Sequence, residues 1–243
     1  MHQSVLELWR DLVNVVAPIW CSGCHQRDVR ICEACRDTMR VTPRRVDVAL
    51  SDGQRTIPVF SGGRYEGIRR AMILDFKNGA KRGLAGLLLF YPESRHGARG
   101  RGERGRGERG RGERGDSWQI VVVPVPSSRR GRINRGYSPA VLLARTLSQH
   151  HPGSRVHSAV THRGLRGLWH NPVAHRGRGQ RMRRSASDYR VAHLRHASRV
   201  VVVDDVLATG ATLVAVSQSL RDAGHIVVAA VVAAHVPPAS SSS

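Results

Sequence analysis

Residues 200–212 read Val-Val-Val-Val-Asp-Asp-Val-Leu-Ala-Thr-Gly-Ala-Thr, a β-branched run that ends on two adjacent acids and then on a loop of small residues. A run as uniformly apolar as Val200 to Val203 predicts a strand buried on both faces, as in a parallel sheet. The small-residue loop then opens a helix predicted over Thr212 to Ala223 and stopped by Gly224. Strand, acids, loop and helix in that order leave few architectures open. Two further apolar runs, Ile120–Val125 closed by Pro124 and Pro126, and Ile226–Ala234, predict two more buried strands. A helix is predicted from about Pro139 to Gln149, with Val141, Leu142, Ala144, Arg145 and Leu147. Strands alternating with helices predict an α/β fold with a parallel sheet flanked by helices.

Upstream, Leu8, Trp9, Leu12, Val13, Val16 and Ile19 follow helical spacing from Val5 onward. A strand over Thr56–Phe60 leads through Gly62-Gly63 to a helix with Ile68, Met72, Ile73 and Phe76 on one face, then to a short helix over Leu84–Phe90. Thr161 to Arg190, rich in Arg, Gly and His with little periodicity, reads as a mobile loop. The expected organisation is an N-terminal helix and cysteine knuckle over 1–45, a main domain over 46–236, and a disordered tail over 237–243.

Residues 97–117 interrupt the main domain. From Arg99 to Asp116 the unit Arg-Gly-Arg-Gly-Glu recurs without an apolar residue, so nothing offsets the entropy of ordering and a disordered insertion is predicted. Seven Arg against three Glu and one Asp give it a net of +3, so most of the chain's formal +21 lies elsewhere. Such a charge implies an anionic partner without naming it: polyphosphate, nucleic acid and anionic membrane all fit, as does a solvated Arg-rich surface. Arg-Gly segments bind single-stranded nucleic acid, yet the interleaved Glu residues favour a linker. No stretch reaches the roughly 18 apolar residues of a membrane span. Residues Met1–Trp20 lack a basic start and carry Glu7 and Asp11, so a cytoplasmic location is expected rather than a signal peptide.

The acids and the loop each have a chemical use. A buried strand holds Asp204 and Asp205 at its carboxyl end, the edge where ligands bind in open α/β sheets. Backbone N–H groups of Ala208, Thr209, Gly210, Ala211 and Thr212 converge on an anion at a helix N-terminus, with two Thr hydroxyls as further donors. One carboxylate can take the 2′- and 3′-hydroxyls of a ribose, and the other a Mg²⁺-bound water. An ordinary strand-turn-helix with acids as caps is the plain alternative. Arg129-Arg130-Gly131-Arg132 follow the strand that ends at Pro126, and guanidinium groups there would bind an anion, unless they are surface charge alone.

All four cysteines fall in two CxxC pairs, Cys21/Cys24 and Cys32/Cys35. Four thiolates at this spacing converge on one structural Zn²⁺; disulfides are the alternative, disfavoured in a cytoplasmic chain. His25 inside the knuckle reads as a bystander.

The segment from Val200 to Thr212 resembles the signature of type I phosphoribosyltransferases. That resemblance implies that Asp204 and Asp205, the catalytic acids of the match, contact the ribose hydroxyls of phosphoribosyl pyrophosphate, that Ala208 to Thr212 hold its 5′-phosphate, and that Arg129 and Arg130 belong to a pyrophosphate loop. The whole order is similar to the ComF family: a four-cysteine knuckle, Arg64-Tyr65-Glu66-Gly67 with Lys77, Val123-Pro124-Val125-Pro126 leading to Arg135-Gly136-Tyr137, then the Asp-Asp loop. Ser138-Pro139 stands where that family usually has Asn-Gln. ComF resemblance implies a competence-associated, phosphoribosyltransferase-like protein with Zn²⁺ and Mg²⁺. It would be either a glycosyltransferase acting on an unknown acceptor or a non-catalytic single-stranded DNA-binding protein of DNA uptake or repair, with a competence-type helicase as partner.

Overall fold

The computed structural model describes residues 18–49, 56–78, 82–89, 120–163, 185–192, 194 and 198–237. The expected N-terminal helix from Val5, the Arg-Gly insertion and the tail from residue 238 lie outside them. Helix α1 (Glu33–Met39) closes the cysteine knuckle and is followed by β1 (Arg44–Ala49) and β2 (Thr56–Ser61). Helix α2 (Gly67–Lys77) and a 3-10 turn running into α3 (Ala85–Leu88) precede β3 (Ile120–Pro124). Then come α4 (Arg129–Arg135), α5 (Pro139–His150), β4 (Ser154–Val156), β5 (Val160–His162), β6 (Tyr189–Val191), β7 (Arg199–Leu207), α6 (Ala211–Asp222) and β8 (Ile226–His235).

A six-stranded sheet runs in the order β1-β2-β8-β7-β3-β4. Every neighbouring pair is parallel except β1 with β2, which is antiparallel at the edge. The expected mixed α/β fold with a mostly parallel sheet is therefore present. From β3 the chain travels through α5 to β4 at one edge; from β7 it travels through α6 to β8 in the opposite direction. Strand order reverses between β3 and β7, and a crevice outside the carboxyl ends of strands at such a point is where open sheets bind ligands.

Alternation along β7 divides the core into two layers. Val200 and Val202 pack with Leu213, Val216 and Leu220 of α6, whereas Val203 packs with Met72, Ile73 and Phe76 of α2, Leu88 of α3 and Leu143 and Leu147 of α5. Cys21, Cys35 and Met39 belong to this second layer, so the knuckle is docked on the same face as α2. Among the described residues no helix is long and apolar enough to cross a membrane.

Three expectations are corrected. The stretch Thr161–Arg190 is ordered at both ends: β5 and β6 pair antiparallel, Val160 and Tyr189 are buried, and the His162 and Tyr189 rings lie 5.1 Å apart. Strands three residues long are too short to leave a readable period, and the middle of the stretch, 164–184, lies outside the described residues. Arg129 and Arg130 open helix α4 rather than lying in a loop, because the Ser128 hydroxyl accepts a bond from Gly131 N at 3.2 Å and caps the turn. The expected helix over Leu84–Phe90 is shorter, an α-helical turn at Ala85–Leu88 after a 3-10 turn at Arg82–Leu84.

Candidate functional site

Strand β7 carries Asp204 and Asp205 at the reversal point. Pro124 at the end of β3 pairs with Val203, and Val125 N donates to Val203 O at 2.8 Å, so the strand next door also ends beside the acids. Alternation sends the two carboxylates to opposite sides, Asp204 to that of Val200 and Val202 and Asp205 to that of Val201 and Val203. Asp204 Oδ1 accepts from Asp205 N at 2.8 Å. Asp205 Oδ1 lies 3.0 Å from Lys77 Nζ at the last residue of α2, with the side chains 21% and 28% exposed. Half-buried as it is, the pair meets a dielectric lower than water's, so Lys77 offsets much of the Asp205 charge at this edge.

Beyond β7 the chain turns through Ala208, Thr209 and Gly210 into the 12-residue helix α6. Gly210 is the N-cap in the left-handed region, at φ 76°, and no side chain caps the helix start. Thr209 Oγ1 reaches Ala211 N only at 3.5 Å. First-turn amides with no side-chain cap and the positive end of the helix dipole suit an anion. A Cβ built on Gly210 would meet Val48 Cγ1 of β1 at 2.9 Å. Gly210→Ala is therefore expected to cost about 1–2 kcal/mol from left-handed strain alone. A lowered denaturant midpoint would report it, and adding Val48→Ala should return only the steric part.

Neither a family model nor any curated protein matches this chain.

The structure brings Asp204, Asp205 and the stretch 208–212 together at one sheet edge. Arg129 and Arg130 begin α4, five residues after the end of β3; the positions of their side chains lie outside the described residues. Two groups at this edge were not assigned from the sequence. Lys77 has no role that its own sequence neighbours give it; its role comes from Asp205, 3.0 Å away. His235 ends β8 in register with Leu207, directly before the turn. It is the first polar residue after an apolar run, the same signal that marked Asp204.

The four cysteine sulfurs lie within 4.8 Å of one another, and all four are free thiols. Tetrahedral zinc with bonds of about 2.3 Å puts sulfurs about 3.8 Å apart. Cys21 and Cys32 are separated by 3.8 Å and Cys24 and Cys32 by 3.6 Å, so the set is close enough to hold a zinc ion. Cys32 N donates to Cys21 Sγ at 3.4 Å. Burial opposes ionisation of Cys21, yet backbone donors at Cys24, Cys32 and Gly23 outweigh it and bring the thiol down to about 6. Burial first, then the neighbouring sulfurs, push Cys35 the other way, well above the ordinary thiol value. His25 is exposed in a left-handed turn, outside the sulfur cluster.

Proposed function

We propose that this chain is a phosphoribosyltransferase-like protein of the ComF type. In this reading it binds phosphoribosyl pyrophosphate with Mg²⁺ at the carboxyl edge of β7 and holds a structural zinc in its knuckle. The observation that carries the reading is the sequence of groups at the strand reversal: paired acids, then a left-handed Gly210 turn, then a helix start with no side-chain cap. Asp204 and Asp205 would hold the ribose hydroxyls, and a Mg²⁺-bound water would sit against one of them. The amides from Ala208 to Thr212 would hold the 5′-phosphate. Bound Mg²⁺ would neutralise the leaving pyrophosphate. Lys77 lowers the repulsion that a polyanion would otherwise meet from Asp205.

Titration calorimetry tests this directly. Phosphoribosyl pyrophosphate with Mg²⁺ should bind, and Asp204→Asn should weaken binding by about ten- to a hundredfold, as loss of one charge-assisted hydrogen bond of about 1.5–3 kcal/mol requires. Absence of heat with the wild-type chain would end the proposal.

A second reading, single-stranded DNA binding, is favoured by the formal charge of +21. Its affinity should then fall steeply with salt, by about a thousandfold between 50 and 200 mM if six or more phosphates are neutralised. An affinity for oligo-dT that ignores ionic strength would reject that reading.

A further inference from the structure

We propose that His235 is the proton acceptor for the nucleophile that attacks the ribose, an inference that rests on the ribose 5-phosphate reading. The residue lies on the strand next to the turn that would hold the phosphate. His235 ends β8 in register with Leu207, and Val236 N donates to Leu207 O at 2.7 Å, so its backbone is held one strand away from the point where β7 runs into the Ala208–Gly210 turn. Its backbone is fixed on the other side as well: His235 N donates to Gly63 O at 2.9 Å and Tyr65 N donates to His235 O at 2.7 Å.

Hydrogen bonding orients the ring. His235 Nδ1 lies 2.9 Å from the Oγ of fully buried Ser61. That hydroxyl has one proton, and it lies 3.0 Å from Gly63 O, which can only accept. Gly63 N returns a bond to Ser61 Oγ at 3.2 Å. With the serine proton assigned to that carbonyl, Nδ1 is the donor toward Ser61 Oγ, and the Nε2 lone pair of the neutral ring is left free. The charged groups acting on the ring are Arg44 of β1 and Arg64 and Glu66 of the turn before α2. Burial first, then Arg44 and Arg64, hold the imidazole below the ordinary histidine value; the Gly63 backbone and Glu66 pull the other way and are outweighed. A ring that is neutral at neutral pH is in the basic form that proton abstraction requires.

The step balances without an outside reagent. A neutral N–H or O–H nucleophile forms a bond to C1 of the ribose. The bond from C1 to the pyrophosphate oxygen breaks, and its electron pair leaves with pyrophosphate. The nucleophile's proton passes to Nε2, and the imidazolium so formed donates to Ser61 Oγ before returning a proton to water. Asp204 and Asp205 remain on the sugar hydroxyls throughout.

The test uses the full chain, phosphoribosyl pyrophosphate with Mg²⁺, and hydroxylamine as a small nitrogen nucleophile, with water alone as the background. His235→Asn is the variant of choice, because its amide still offers a donor toward Ser61 while removing the base. Calorimetric binding should stay within about threefold of wild type, whereas pyrophosphate release should fall about a hundredfold, within the usual range for loss of a general base. Wild-type release should rise with pH through a step below 6.5 that the variant lacks, and the difference between profiles removes hydroxylamine's own ionisation. Nitrogen-15 shifts of labelled histidine should report the Nδ1–H tautomer, a readout independent of how the variant folds. No binding by the wild-type chain would overturn the ribose reading and this inference together. Intact binding with an Nε2–H tautomer, with no pyrophosphate release, or with a variant profile matching wild type would overturn the base alone.

Discussion

If Cys21, Cys24, Cys32 and Cys35 hold the proposed zinc, removing it is expected to melt the layer beneath the knuckle along with the knuckle itself. Cys21 and Cys35 are buried in the same cluster as Met39, Met72, Ile73 and Phe76, so a disordered knuckle would expose one side of α2. Magnitudes make this the largest effect available. Structural zinc contributes about 10–16 kcal/mol in small four-ligand sites, comparable to the roughly 5–15 kcal/mol that holds an entire domain together. Nothing else in the knuckle replaces it: α1 has only seven residues and no side-chain N-cap. Binding must expel protons, above all the one that burial and the other sulfurs keep on Cys35, so zinc affinity should rise with pH. A strong chelator, or Cys32→Ser, should release one zinc per chain and lower the calorimetric transition by more than about 10 °C, since each kcal/mol shifts a chain of this size by roughly 2–4 °C. An unmoved transition, or a chain that never carried zinc, would refute the structural site.

The knuckle was legible because two CxxC pairs fix four ligands within a short stretch, where local spacing alone brings the sulfurs together. The strand-loop-helix from Val200 to Asp222 was legible for a related reason: its apolar run, acids, small turn and helix are consecutive, so the chain's own direction puts the acids at a carboxyl edge. Whatever depends on distant pairing was not. Lys77 and Asp205 are neighbours only because α2 packs on the face of the sheet to which Asp205 turns. β4, β5 and β6 are three residues each, and tertiary pairing rather than propensity makes them strands. β1 alternates Arg45, Val46, Asp47 and Val48 in the manner of an edge strand, a pattern available in the sequence but overshadowed by the cysteine cluster before it. Helix α4 carries end signals, Ser128 as N-cap and Gly136 at φ 69° after its last turn, but its one apolar residue, Ile133, leaves no helical period to read.

Arg69 ties these parts together, and replacing it should be the second most damaging change. Its side chain is buried, and among the described residues no carboxylate pairs with it. Burial pulls the guanidinium down to about 10, so it remains cationic at neutral pH. Three carbonyls supply the negative charge instead: Ala233 O at 3.2 Å, Met39 O at 3.4 Å and Leu88 O at 3.5 Å. Met39 and Leu88 are the last residues of α1 and α3, where carbonyls lack partners within the helix and the dipole is negative. One cation therefore closes two helices and a central strand. Gly62 leaves room for it, since a Cβ there would come within 2.7 Å of Arg69 Nη1.

Two effects oppose each other in Arg69→Met. The substitution relieves the desolvation of a buried charge, several kcal/mol, and it withdraws the donor from three carbonyls at about 1–3 kcal/mol each. Met39 O suffers least, because Val41 N already donates to it at 3.0 Å. A net loss of about 3 kcal/mol, hence a fall of roughly 6–12 °C in the transition, follows if the carbonyls win. Arg69→Lys, which keeps the charge but not the fork, should lose about half as much. Since Arg69 reaches Met39 at the end of the knuckle helix, its loss and zinc removal should be coupled by more than 0.5 kcal/mol in a double cycle. A methionine variant as stable as wild type would mean that the buried charge costs as much as its bonds return. In that case packing, not the guanidinium, joins the knuckle to the sheet.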